Sequence, residues 1–256
     1  LLDLSGCALY GDGPMTEVGK YIIGEGHELH VHLHSEWLIR SWGIKGAFTG
    51  SPGLNQLDEE TSQSCINYAS FKYRQLFGRA PEVFRGGAFA FNAHTVTAAR
   101  NAGFRCLSNF NVTRHAEMLS VGGCCANNEP FSWGGGLFEL PVDFSPEPLS
   151  FDIQQYSGQF DRVLTRKMFK TFNLTMHSWS LLKRHGSLFT SVAPEHEEKL
   201  RYICEHLCAN TEVRGYSEYL DQLVVPPVSI NHFHNAIAVL DPSIRLATCN
   251  VCGARF

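Results

Sequence analysis

Between Leu29 and His34 the chain alternates without a break: Leu29, Val31 and Leu33 are apolar, and His30, His32 and His34 lie between them. A period of two is the spacing of a β-strand, whose successive side chains point to opposite faces. The segment therefore predicts a strand with one apolar face for a core and one face of imidazoles. Four histidines fall in the eight residues from His27 to His34, out of twelve in a chain of 256 residues. That length is enough for one large domain or two small ones, with ample chain for a hydrophobic core.

Helix and strand signals alternate along the rest of the chain. Leu1 to Leu4 predicts a strand, and Pro14 to Ile23 a short helix with Val18, Tyr21 and Ile22 on one side. Ser51 to Gly53 reads as a turn, and Leu57 to Phe77 as a long helix ending before Gly78. Val83 and Phe84 form a short strand leading into Arg85, Gly86 and Gly87. Asn92 caps a helix that Gly103 stops, and Phe104 to Leu107 is a strand. Val121 to Gly136, rich in glycine, reads as a long loop. Leu137 to Val142 and Thr171 to Met176 read as strands, Pro194 to Cys208 and Ser217 to Leu223 as helices. Repeated strand–helix alternation implies parallel strands and an α/β domain. In such folds sites gather at the carboxyl ends of the strands, where His32, His34, Arg85 and His177 fall.

Several function classes lack support. Net charge is −4, from 21 basic and 25 acidic residues with no basic tract, which argues against a nucleic-acid partner. There is no Gly-x-Gly-x-x-Gly, no Walker A motif and no Gly-x-Ser-x-Gly. No run of eighteen apolar residues predicts a membrane span. The nine cysteines, odd in number and irregularly spaced, do not form a disulfide framework, which points to a reduced, cytoplasmic compartment. The sequons at Asn111 and Asn173 are read as chance. The chain begins inside an apolar run with no initiator methionine, which predicts a fragment or processed product.

The histidine strand carries the strongest chemical signal. His32 and His34 share a face and can meet one metal ion, with Glu36 two residues on as an oxygen donor. Two imidazoles and a carboxylate are a normal set for zinc and related divalent ions. The alternative is a solvated or hydrogen-bonded histidine edge. His30 suits a supporting place behind a ligand, and His27 a structural one. Arg85 at a strand end suits an anionic partner or an ordinary salt bridge. His177 suits acid–base chemistry or a structural hydrogen bond, and Trp179 either a sugar-cleft wall or core packing. Asp143 reads as a strand-end carboxylate that could face the cleft, Glu139 has a less obvious placement, and neither receives a catalytic role. Cys249 and Cys252 form half of a zinc-ribbon pattern, while Cys204 and Cys208, one helical turn apart, read as helix packing.

Taken in order, these segments resemble the polysaccharide deacetylase family, also called NodB-homology or carbohydrate esterase family 4. Gly26 to Glu36 looks like its Gly-His-Glu-Ile followed by metal-binding histidines. Phe84 to Phe89 resembles its arginine motif, and Leu174 to Leu182 its late Leu-x-His motif. The resemblance spans residues 1–225, leaving 226–256 as a C-terminal extension whose Cys249 and Cys252 read as the start of a zinc-ribbon-like module or as chance. It implies a distorted (β/α)₇-type barrel, here incomplete at its N-terminus. It also implies a divalent ion, taken as zinc, on His32 with His34 as the second ligand and Glu36 as the alternative, and with His177 as general acid and Arg85 orienting the base. The substrate implied is an N-acetylated sugar or glycan precursor. In the family the second metal histidine falls where Glu36 stands, and the first motif carries paired aspartates. No Asp-Asp occurs near Leu1, and Asp3 and Asp12 do not match that motif, so the base is expected from an upstream segment. The competing readings are a non-catalytic glycan-binding domain with a degenerate metal site and a hydrolase of a small non-sugar amide.

Overall fold

A computed structural model describes residues 1–44, 52–110, 130–142, 173–185 and 188–223. The chain divides into two units, one of residues 1–141 with 215–256 and the other of residues 142–214. The extension 226–256, with Cys249 and Cys252, lies outside the described residues, as do Asp143, Asn111, Cys124 and Cys125.

The first unit is built on a six-stranded sheet of order β1-β2-β3-β4-β6-β5. Its strands are β1 (Leu2–Asp3), β2 (Val31–Leu33), β3 (Val83–Gly86), β4 (Cys106–Leu107), β5 (Phe131–Gly134) and β6 (Leu137–Glu139). All neighbours pair in parallel except β5, which returns antiparallel to β6. The helices are α1 (Gly6–Tyr10), α2 (Asp12–Gly24), α3 (Ser35–Trp42), α4 (Glu59–Phe77), α5 (Ala93–Asn101) and, after the second unit, α7 (Tyr216–Gln222). This is the α/β class that the alternation predicted. The barrel is not what the described residues form: their sheet is open, with β1 and β5 at its edges. The hydrogen-bonding sides of two edge strands must meet to close a barrel, and no ladder joins β1 to β5.

Local chemistry explains most boundaries. Asp58 caps α4, its carboxylate accepting the Thr61 N–H at 2.8 Å, and Gly78 ends the helix at φ 68°. Asn92 caps α5 through a reciprocal pair with Thr95. Leu4, Leu33, Phe84, Ile66 and Ala99 belong to one continuous core beneath the sheet.

The second unit carries α6 (Pro194–Asn210) and an antiparallel hairpin of β7 (Leu182–His185) and β8 (Leu188–Val192). Its small core centres on Ile203, against which Leu174, Met176, Leu181 and Leu207 pack.

Four expectations are corrected. The stretch read as a loop to Gly136 contains β5, because Phe131 and Trp133 are buried and the glycines make the turn to β6. The strand expected at Thr171 to Met176 is reduced, among described residues, to a bridge at Leu174; a 3₁₀ turn, Ser178–Leu181, follows His177. The histidine strand ends at Leu33, and His34 is the N-cap of α3. Cys204 and Cys208 are exposed, on the outer side of α6, so they do not pack. Among the described residues no helix is long and apolar enough to cross a membrane.

Candidate active site

Ladder register brings three side chains to one level at the carboxyl ends of adjacent strands. Asp3 of β1 pairs with His32 of β2, and His32 with Arg85 of β3. His34 follows at the entrance to α3, its ring 4.9 Å from that of His32 and perpendicular to it. The backbone N–H of His34 donates to Asp3 Oδ1 at 3.3 Å, and the same oxygen accepts the Ser5 hydroxyl at 2.6 Å and the Ser5 N–H at 3.0 Å.

Both imidazoles are pinned through Nδ1. His32 Nδ1 lies 2.9 Å from the Arg85 carbonyl. A carbonyl only accepts, so this nitrogen carries the proton and Nε2 keeps the lone pair. Burial, and then the neighbouring His34, lower the His32 pKa to about 3, so the ring is neutral at ordinary pH. His34 Nδ1 lies 2.5 Å from Glu36 Oε1. That carboxylate raises the His34 pKa, outweighing the opposing effect of burial. Glu36, expected as a ligand, is thus the partner of His34.

The turn after β3 fits closely around these rings. A Cβ on Gly87 would stand 2.5 Å from His34 Nδ1, and one on Gly86 would stand 2.4 Å from the Ala90 carbonyl oxygen. The Gly-Gly pair is therefore a packing requirement of the site. Ala88 and Phe89 follow with φ of 52° and 60°, two consecutive residues in the left-handed region. Such backbone costs on the order of 1–3 kcal/mol per residue. It turns the Phe89 ring to 5.7 Å from the Arg85 guanidinium carbon.

Arg85 is buried. Its Nε donates to the Ser108 carbonyl at 2.8 Å, and its Nη2 to the Ser108 hydroxyl at 2.6 Å and to the Tyr216 hydroxyl at 3.0 Å. Tyr216, at the start of α7, also meets the edge of His30, whose Nε2 lies 2.9 Å from Glu28 Oε2. His30 thus contacts Tyr216, the residue whose hydroxyl bonds Arg85. His27 is exposed.

Glu139 ends β6 fully buried. Its carboxylate accepts the N–H groups of Asn109 and Phe110 at 2.7 and 2.8 Å and the Trp133 indole N–H at 2.9 Å. Burial raises its pKa to about 7 against the opposing pull of these donors.

His177 belongs to the second unit. Its ring stacks on Trp179 with centroids 3.9 Å apart and planes 16° from parallel, and Trp179 is partly exposed. Trp179 thus packs against the histidine and not in a core.

The donor set can be tested against a divalent ion. His32 and His34, each held at Nδ1 by an acceptor, keep Nε2 as the metal-facing nitrogen, the usual arrangement for ligating histidines. The imidazole pair fits, and Glu36 engages His34 through Oε1. Among the described residues no group of three or more His, Cys, Asp or Glu side chains converges to hold an ion.

Sequence reasoning passed over Ser108, Asn109 and Tyr216, and set Asp3 aside because it does not match the paired-aspartate motif. Asp3 and Ser108 had a usable signal, being polar residues at the ends of short apolar strands. Tyr216 had none, because it arrives from a helix far along the chain.

No protein-family model and no curated protein matches this chain. Among solved structures it is similar to the crystal structure of a putative polysaccharide deacetylase from Mycobacterium smegmatis, with 16% identity and a TM-score of 0.53. The match covers 86% of this chain and 74% of the other. At that identity the likeness is one of fold.

Proposed function

We propose that the chain is a hydrolase of the polysaccharide-deacetylase kind, which cleaves the acetamido group of an N-acetylated sugar to acetate and a free amine. The observation that carries the reading is the level row of Asp3, His32 and Arg85 at the strand ends, with His34 beside it. The fold likeness to a structure named as a polysaccharide deacetylase supports the substrate class.

Asp3 takes the role of the base that the sequence reading assigned to an upstream segment. It accepts a proton from the attacking water as the water oxygen bonds to the amide carbon. His32 and His34 would hold a divalent ion, zinc by donor chemistry, which when bound polarises the amide carbonyl. The Arg85 carbonyl orients His32, and Glu36 orients His34. Collapse of the tetrahedral adduct breaks the C–N bond, and the amine leaves with a proton. His177 has the general acid's role in this reading.

Acetate release from an N-acetylglucosamine oligomer tests it. Wild-type chain should release acetate, and D3N should lose about 10²- to 10⁴-fold in kcat, the usual contribution of a general base. Sugar binding without acetate release would support the glycan-binding reading instead. Release only from simple acetamides would support a non-sugar amidohydrolase.

A further inference from the structure

Glu139 is a fully buried carboxyl that the proposed chemistry does not use. Burying a carboxyl is costly unless hydrogen bonds replace its water. Here three N–H donors do so, two of them consecutive backbone groups, of Asn109 and Phe110. Those residues directly follow β4, and their other contacts run toward the site. Ser108 accepts two hydrogen bonds from Arg85. Asn109 Oδ1 accepts the Gly86 N–H at 2.6 Å. Ser108, Asn109 and Glu139 are all fully buried, and Arg85 nearly so. The segment 108–110 is therefore gripped by Glu139 on one side and grips Arg85 and Gly86 on the other.

We infer that Glu139 is a positioning residue, whose carboxylate fixes the backbone of residues 108–110 and through it the place of Arg85 and Gly86. The catalytic consequence rests on the deacetylase reading; the structural relay does not. Arg85 in turn holds His32 through its carbonyl, and Gly86 begins the turn packed on His34. A carboxylate suits the place because both its oxygens only accept. A glutamine would keep one acceptor for the two backbone donors and set its own N–H groups against the Trp133 indole.

Hydrogen exchange followed by NMR on the full ¹⁵N-labelled chain tests the relay. In E139D the shortened side chain keeps its charge and withdraws from residues 109 and 110. The amides of Asn109 and Phe110 should exchange faster, and so should the Gly86 amide and Arg85 Nε–H, by about tenfold. The Ala102 amide, at the C-cap of α5, should not change. Faster exchange confined to Asn109 and Phe110 would overturn the relay. So would unchanged exchange at all four sites. E139Q should restore Asn109, Phe110, Gly86 and Arg85 to near wild type while the Trp133 indole N–H exchanges faster.

Turnover of an N-acetylglucosamine oligomer is the second readout. E139D should lose about tenfold in kcat with KM within about twofold, the pattern of a displaced reacting group. Normal kcat beside relayed exchange would overturn the catalytic role alone. A wild type that releases no acetate would overturn the deacetylase reading and leave the relay to be decided by exchange.

Discussion

The β1–β6 sheet and the β7–β8 hairpin are both made of short strands, yet they bury very different surfaces. Every residue of β3 is buried, whereas every residue of β8 is exposed. In the sheet, apolar side chains such as Phe84 and Leu33 sit in a continuous core and fix which residues face which neighbours. In the hairpin, register comes from the pairing of Leu182 with Val192 and of His185 with Leu188. The polar groups of the two units follow the same division. Asp3, His32 and Arg85 stand on strands held by a core, so each has defined partners at defined distances. His177 stands in the second unit, on a turn beside the partly exposed Trp179.

H177A should lower acetate release by about 10²-fold or more, as expected for loss of a general acid, while leaving the exchange pattern of the sheet unchanged. Turnover at the wild-type rate would remove His177 from the mechanism and leave all the chemistry to the sheet's residues.

Next in size is stability. Phe84→Ala removes a fully buried ring and should cost about 3–5 kcal/mol in urea denaturation. Phe189→Ala, on the exposed face of β8, should stay within about 0.5 kcal/mol. Equal costs would mean that the hairpin packs as tightly as the sheet.

The buried carboxyl of the sheet also makes its stability depend on pH. Glu139 has its pKa raised by burial to about 7 in the folded chain, from an ordinary 4.5. A carboxyl raised in this way binds its proton more tightly when folded. Its contribution to stability is therefore fullest below pH 4.5 and is lost as pH rises through about 7. Relative to E139Q, wild-type stability should fall across that window by at most about 1.4 kcal/mol per pH unit. A difference between the two that does not vary with pH would mean that Glu139 ionises as an exposed carboxylate does.

The smallest expected effect is local. Asn92→Ala removes the cap of α5 and should cost about 1 kcal/mol in the same denaturation assay. A cost near zero would show that packing alone holds that helix.

Much of the first unit was legible because its elements carry strong local chemistry. Asp58, Gly78 and Asn92 mark helix ends through caps that form within a few residues. The apolar half of the histidine strand, Leu29, Val31 and Leu33, is buried as its alternation required. The hairpin was not legible, because Leu188 to Val192 has no buried face and so no alternation imposed on it. The loop reading before Gly136 failed for a related reason: glycines that signal a turn also flank a strand whose partner, β6, is what orders it.

The site divides along the same line. Residue type and strand periodicity, properties of the chain alone, brought His32 and His34 forward as candidates, whereas Arg85 became one only through the family resemblance. That Glu36 serves His34, that Asp3 stands level with His32, and that Glu139 and Tyr216 bear on Arg85's surroundings were decided by folding. Those relations depend on register between strands and on segments separated by tens of residues, down to α7 reaching Arg85 across 131 positions. Periodicity within a segment carries no record of which other segment will lie beside it.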